Sequence, residues 1–225
     1  MDDFIDFCQH RRSVRDFSTK TVAFEDVVDC LHAATYAPSV SDLQPWEFVV
    51  VTSGSAREAV VSCCKDSGWL LDAPVLVAVL LDRSRFEAYH GSEEVVFARD
   101  SCVAAAMNVV YAALSKGLGS CWVTDFFSEK LAGTLKIPAS CEIVCLLALG
   151  YPAEADVIPK HVTSLNEITY FDVYGAKRTD VSTYTMDYGA AAREVASEAA
   201  FRVKKKPFVK RFRDQLDAMM GKKKE

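Results

Sequence analysis

Val75-Leu76-Val77-Ala78-Val79-Leu80-Leu81, opened by Ala73-Pro74, is a near-continuous apolar run. A half-exposed strand alternates apolar and polar residues. A run without alternation belongs to a strand buried on both faces, so Val75 to Leu81 is the expected centre of a sheet. Outward from it, Trp46 to Thr52 is aromatic and β-branched and reads as a second strand, with Ser120 to Thr124 and Glu142 to Leu149 as two more. Helical spacing marks Asp2 to His10 through Phe4, Phe7 and Cys8, and Phe24 to Ala37 through Val27, Val28, Leu31 and Ala34. Glu25 and Asp26 favour the start of that second helix, and Pro38 stops it. Ser55 to Ser67 and Ser128 to Leu135 read as shorter helices. Asp100 to Lys116 is a long helix with Val103, Met107, Val110 and Leu114 on one face, alanines 104 to 106 for close packing, and Gly117 to end it. Asp82 to Phe97 is polar and poorly periodic, an expected surface excursion with room for a lid, and Tyr89 and His90 read there as surface residues. Helices and strands do not alternate regularly, so an α+β sandwich is expected rather than a doubly wound sheet.

The chain has 225 residues, long enough for one sizeable core with an extension. Half of the residues are hydrophobic and 25% charged, which excludes wholesale disorder. No apolar run approaches the roughly 20 residues of a membrane helix, and Met1-Asp2-Asp3-Phe4 is not an apolar leader, so a cytoplasmic protein is expected. The eight cysteines read as reduced core thiols, Cys102, Cys121 and Cys145 among them. His10, His32, His90 and His161 lack metal-ligand spacing, and no metal is expected. The net charge of −5 hides an asymmetry: Arg202 to Glu225 holds ten Lys/Arg against three Asp/Glu. The acidic body argues against nucleic acid as the main partner, while the tail leaves weak polyanion or membrane-surface contact open beside a solvated amphipathic end. Beyond Gly150-Tyr151-Pro152 the pattern loosens, and Ala190 to Val203 and Phe208 to Met220 read as two helices broken by Pro207.

Arg11-Arg12-Ser13-Val14-Arg15 sets three guanidinium groups and a hydroxyl within five residues. Guanidinium forks bind phosphate through paired, charge-assisted hydrogen bonds, and clustering them is repulsive unless an anion neutralises the charge. Taken alone, the pentapeptide reads as a solvated basic turn. Three further stretches reverse that reading: Ala37-Pro38-Ser39-Val40-Ser41-Asp42-Leu43-Gln44-Pro45-Trp46, Gly117-Leu118-Gly119-Ser120-Cys121-Trp122 and Ala148-Leu149-Gly150-Tyr151-Pro152. In this order and spacing the four resemble the nitroreductase family of FMN-dependent oxidoreductases, over about residues 4 to 170.

The resemblance implies a nitroreductase-like α+β sandwich, a central mixed sheet flanked by helices, in a homodimer with FMN at the subunit interface. It implies a flavin domain over residues 1–175 and a helical basic extension over 176–225. Arg11, Arg12, Ser13 and Arg15 would hold the FMN phosphate, ribityl chain and pyrimidine edge, while Pro38, Ser39, Ser41 and Gln44 would approach the flavin from the partner subunit. Thr124 would offer its amide near the reactive flavin nitrogen, Lys160 would help neutralise the phosphate, and Asp66 stands near a family asparagine that contacts the ring. Trp46 is expected to fill the core. Two departures stand out: Val162 where the family commonly has an arginine, and Asp125 where small residues usually admit the flavin. An inward Asp125 would disfavour an anionic reduced flavin.

The implied activity is ping-pong: NAD(P)H reduces the flavin and leaves, then a nitroaromatic, quinone or related acceptor takes the electrons in the same pocket. With chemistry carried by the cofactor, no protein acid–base dyad is required. None is visible; Ser/His/Asp, Gly-x-Gly-x-x-Gly and Lys-Thr/Ser nucleotide signatures are also absent from the sequence. Alternatives within the superfamily are reductive dehalogenation and flavin breakdown. From a different class comes a non-catalytic flavin-binding module whose tail, with Lys204-Lys205-Lys206 and Lys222-Lys223-Lys224, recruits a polyanion.

Overall fold

β2 (Val75–Asp82) is buried at every position, as a strand without polar alternation must be. It lies inside a four-stranded sheet of order β1-β2-β4-β3, with β1 at Trp46–Val51, β3 at Gly119–Val123 and β4 at Cys141–Gly150. Described here are residues 2–65, 67–90, 95–153 and 162–177 of a computed structural model, in which the chain divides into two units, Met1–Asp156 and Val157–Glu225. Lys160, Asp66 and the two tail helices expected at Ala190 to Val203 and Phe208 to Met220 fall outside the described residues.

The α+β sandwich is as expected, but the sheet is not mixed among the described residues. All three strand pairs are antiparallel, with registers Trp46↔Leu81, Val75↔Leu149 and Gly119↔Gly150. β4 enters between β2 and β3 and runs antiparallel to both. The parallel pairing present is an isolated bridge, Ser13↔Ser120.

Period-two alternation assigns the faces of β2. Val75, Val77, Val79 and Leu81 share one core with α2 (Phe24–Ala34) and α5 (Val95–Ser115). Leu76, Ala78 and Leu80 share the other with α3 (Gly54–Val61), α6 (Ser128–Leu135) and Phe17. Each buried leucine contributes about 1.5–3 kcal/mol, against about 0–1 kcal/mol for an exposed ion pair, so the two cores hold the fold.

Two expectations are corrected. Asp82 to Phe97 is no excursion: α4 (Arg83–His90) forms there, anchored by a fully buried Phe86, and α5 begins at Val95. One aromatic in a polar segment is too little to show a helical period, yet it suffices to seat a helix. On α5, the buried face is Ala98, Cys102, Ala105, Ala106, Val109, Val110 and Ala113, whereas Val103 is 36% exposed. Val110 is buried as expected and Met107 packs partly against the core, but most of the inner side is made by small residues, which let the helix approach the sheet.

α2 is lashed to α5 by Lys116, whose Nζ lies 3.0 Å from Asp26 Oδ1 and 2.6 Å from Asp29 Oδ2. Asn108 Nδ2 adds a bond to the Ala33 carbonyl at 3.0 Å. Trp46 is buried in the core, as expected. α1 (Asp2–His10) leads into the arginine segment. In the second unit, α7 (Leu165–Ile168) precedes a turn in which the Phe171 N–H donates to the Ala176 carbonyl at 2.8 Å. None of the described helices is long and apolar enough to cross a membrane.

All eight cysteines are unbridged. Burial pushes the Cys102 and Cys145 thiols up to about 12 and Cys30 to about 11, from an ordinary 9.0. Unfolded thiols lose their protons at lower pH than these folded ones, so unfolding releases protons in alkali and is favoured by it. Stability should be complete below about pH 9 and fall as pH rises toward 12. Urea midpoints that stay level from neutral to about pH 10 would contradict this.

Candidate functional site

The arginine segment lies across the ends of β3 and β4, held at both ends by backbone bonds. The Val14 N–H donates to the Ser120 carbonyl at 2.9 Å, Ser18 N–H to Tyr151 O at 2.8 Å, and Ala153 N–H to Asp16 O at 3.0 Å. Phe17 forms an antiparallel bridge with Pro152. This crossing needs two bare backbones. A Cβ on Gly119 would lie 2.7 Å from Val14 Cγ2, and one on Gly150 would lie 2.8 Å from Phe17 Cδ1 and 2.6 Å from Pro74 Cδ. Gly119 and Gly150 are cross-strand partners, so the sheet presents one gap, two residues wide, where the segment passes.

The three guanidiniums take different paths. Arg12 folds back on the end of α1, its Nη1 donating to the Gln9 carbonyl and, at 3.0 Å, to the Arg11 carbonyl. Its Nε is buried without a partner. Beside it lies a cavity of about 200 Å³ lined by His10, Arg12, Val14, Leu118, Gly119, Ser120 and Pro152. Arg11 and Arg15 reach toward Cys121 of β3: burial raises that thiol, and the two guanidiniums oppose the rise. Arg11 also opposes the upward shift of Tyr111, which a hydrogen bond to Cys8 and burial produce. Ser13 is exposed.

Pro38, Ser39, Ser41 and Gln44 sit in a separate loop that runs left-handed at Ser41 (φ 50°), Asp42 (φ 55°) and Gln44 (φ 48°). Non-glycine residues adopt this region at an energetic cost, so the surroundings must impose it. Ser39 Oγ accepts from the Gln44 N–H at 3.2 Å, and Ser101 Oγ of α5 accepts from the Val40 N–H at 3.2 Å while donating to the Phe97 carbonyl at 3.0 Å. Gln44 Nε2 donates to Asp42 Oδ1 at 3.0 Å. Pro38, Ser39 and Val40 line a groove of about 350 Å³ with Phe97, Asp100, Ser101 and Ala104. No residue lines both hollows, so one chain does not gather the arginine set and the Pro-Ser set around a single cavity.

Thr124 is exposed just beyond β3. Asp125 is paired: its Oδ1 lies 3.2 Å from Lys65 Nζ, with 70% of the side chain exposed. The Lys65 N–H donates to the Asp125 carbonyl at 3.0 Å, and Phe127 N–H to Cys63 O at 2.8 Å. These bonds clamp the 124–127 loop to the 63–65 turn, and the inward unpaired charge considered from the sequence is not what forms. Val162 is exposed, in the second unit. Among the described residues no group of three or more His, Cys, Asp or Glu is clustered for a metal.

Sequence reasoning missed Trp69, which lies in the 3-10 turn Gly68–Leu71 under Arg15. It also missed His10 and Asp100 as lining residues. Neither spacing nor composition marked them.

An antiparallel sheet between helical layers, crossed by a basic segment at a glycine gap, defines a nitroreductase-like α+β class. The nitroreductase family model matches residues 8–66 and 61–151, and the chain belongs to this family of oxidoreductases. A protein of Methanothermobacter thermautotrophicus named "Putative NADH dehydrogenase/NAD(P)H nitroreductase" is 31% identical over 156 residues, 68% of this chain and 78% of that protein. The 5,6-dimethylbenzimidazole synthase of Rhodospirillum rubrum is 30% identical over 176 residues, 68% of this chain and 83% of that one. Among solved structures, a nitroreductase-type protein of Bacteroides thetaiotaomicron superposes with a TM-score of 0.66 at 29% identity, covering 75% of this chain and 97% of its own.

The glycine gap makes a sharp prediction. Gly119→Ala should lose about 1–3 kcal/mol through overpacking against Val14, whereas Gly133→Ala, with nothing within 4 Å, should lose nothing; equal denaturant midpoints for the two would refute the gap. Asp125→Ala should change stability by less than about 1 kcal/mol, because an exposed pair is weak and backbone bonds keep the loop in place. A larger loss in chemical denaturation would assign the clamp to the ion pair instead.

Proposed function

We propose that the protein is an FMN-dependent oxidoreductase, acting in the cytoplasm as a homodimer, that uses NAD(P)H to reduce a nitroaromatic, quinone or related small acceptor. The observation that carries this reading is the arginine segment locked over the Gly119–Gly150 gap, with an unpartnered buried Arg12 Nε beside a cavity. The donor set suits FMN: several guanidiniums for a dianionic phosphate and a carbonyl-bearing ring edge, and an apolar Pro38–Phe97 groove for a planar ring. Bound FMN supplies the redox chemistry, in a ping-pong sequence in which NAD(P)H leaves before the acceptor enters.

The chain's own residues bind and orient. Arg11, Arg12 and Ser13 take the phosphate side, with Lys160 adding charge, and Arg15 takes the pyrimidine edge. Thr124 would offer its amide near the reactive nitrogen, and Asp66 would contact the ring. Pro38, Ser39, Ser41 and Gln44 close the site from the partner subunit, which accounts for two hollows that no residue shares. Exposed Phe24 and Val28 on α2, with Val96, Phe97 and Val103 on α5, give that partner an apolar surface to cover.

A second reading has support of its own. The 30% identity to 5,6-dimethylbenzimidazole synthase admits a chemistry other than acceptor reduction. Product analysis with nitroaromatic, quinone and free-flavin substrates separates the two.

The purified protein should be yellow, with a flavin band near about 450 nm that bleaches on anaerobic NAD(P)H. A protein that stays colourless after incubation with FMN would sink the proposal. Arg11→Ala should weaken FMN retention by about tenfold or more while leaving the unfolding midpoint near wild type, since charge-assisted bonds to phosphate contribute roughly 1.5–3 kcal/mol. Ultrafiltration followed by flavin fluorescence of the filtrate reads this directly.

A further inference from the structure

Arg15 has no carboxylate partner among the ion pairs of the described residues. It is nevertheless not loose. Its guanidinium carbon lies 5.7 Å from the centroid of the Trp69 ring. Trp69 in turn stacks on Phe17, ring centroids 6.5 Å apart and planes 24° from parallel. Phe17 is only 6% exposed and is wedged against Gly150, so the base of this stack is fixed to the sheet itself. The Cys121 thiol of β3, which burial raises, is drawn the other way by the positive charge of Arg15 and Arg11.

We infer that Trp69 is the positioning residue for Arg15: its indole face holds the guanidinium in place where Arg15 meets the flavin. The inference rests on the FMN reading above. The physical argument is general. A long arginine chain loses rotamer freedom when it binds, and a ring face that already orients the planar fork removes part of that cost before the ligand arrives. A carboxylate would hold Arg15 as firmly but would cancel its charge; an aromatic face holds it and leaves the charge available. A guanidinium kept against the pyrimidine edge favours the more negatively charged, reduced state of the flavin. Trp69 therefore acts on both the affinity and the potential of the cofactor through Arg15, without touching the chemistry.

The test uses full-length protein reconstituted with FMN. Trp69→Leu should weaken FMN binding about three- to tenfold. It should lower the two-electron midpoint potential by about 15 mV, a threefold change in relative affinity for the two redox states at 29.6 mV per decade. Trp69→Phe, which keeps a ring, should recover most of both. Arg15→Ala should cost less affinity than in wild type in a background without a ring, Trp69→Leu or, where that variant folds poorly, Trp69→Met. Wild-type affinity and potential in Trp69→Leu, or costs that simply add in the double variant, would overturn the inference while the FMN reading survives. A wild-type protein that binds no FMN overturns that reading instead.

Discussion

The absence of two side chains governs this site. Gly119 and Gly150 face each other across β3 and β4, and a methyl group on either would collide with the segment that carries the arginines. Close backbone approach is what allows the Val14 N–H to reach Ser120 O and Ser18 N–H to reach Tyr151 O. Those bonds set the direction in which Arg11 and Arg15 leave the chain. The segment that carries the arginines is therefore seated by a sheet whose main business is burying leucine and valine.

The strained Pro38–Pro45 loop works by a different principle. Three left-handed residues within four positions are held by Ser39 and Ser101 hydroxyls rather than by glycine. Polar side chains thus fix a backbone shape that turns Pro38 and Val40 toward α5. The arginine set is shaped by what is missing, the Pro-Ser set by added hydrogen bonds, and the two line separate hollows.

Much of this was legible in the sequence, for identifiable reasons. An unbroken apolar run has one stable location, the interior of a sheet covered on both faces, so β2 could be placed at once. The glycines were readable as parts of spaced motifs, though their collision partners, Val14, Phe17 and Pro74, were not, because those contacts join distant stretches. α4 was hidden because a single buried Phe86 has no period. The inner face of α5 was readable at Val110 but not at its alanines and Cys102, because apolar residues spread over more than one side of the helix and give little contrast. Asp125 looked disruptive only while Lys65, remote in sequence, was not known to meet it. Trp69 could not be linked to Arg15 by any local rule.

The long-range character of the crossing bears on the order of folding. Ser13 pairs with Ser120, and Phe17 with Pro152, so the loop closed by each contact spans most of the first unit. Closing such loops early is entropically unfavourable, and their docking surface does not exist until β3 and β4 have paired. The arginine segment is thus among the last pieces to seat, and on the way back it is among the first that can lift while the sheet remains whole. The basic charge of the segment and the integrity of the sheet are in this way separable by time: the scaffold matures first, and the arginines take their places with the final strap.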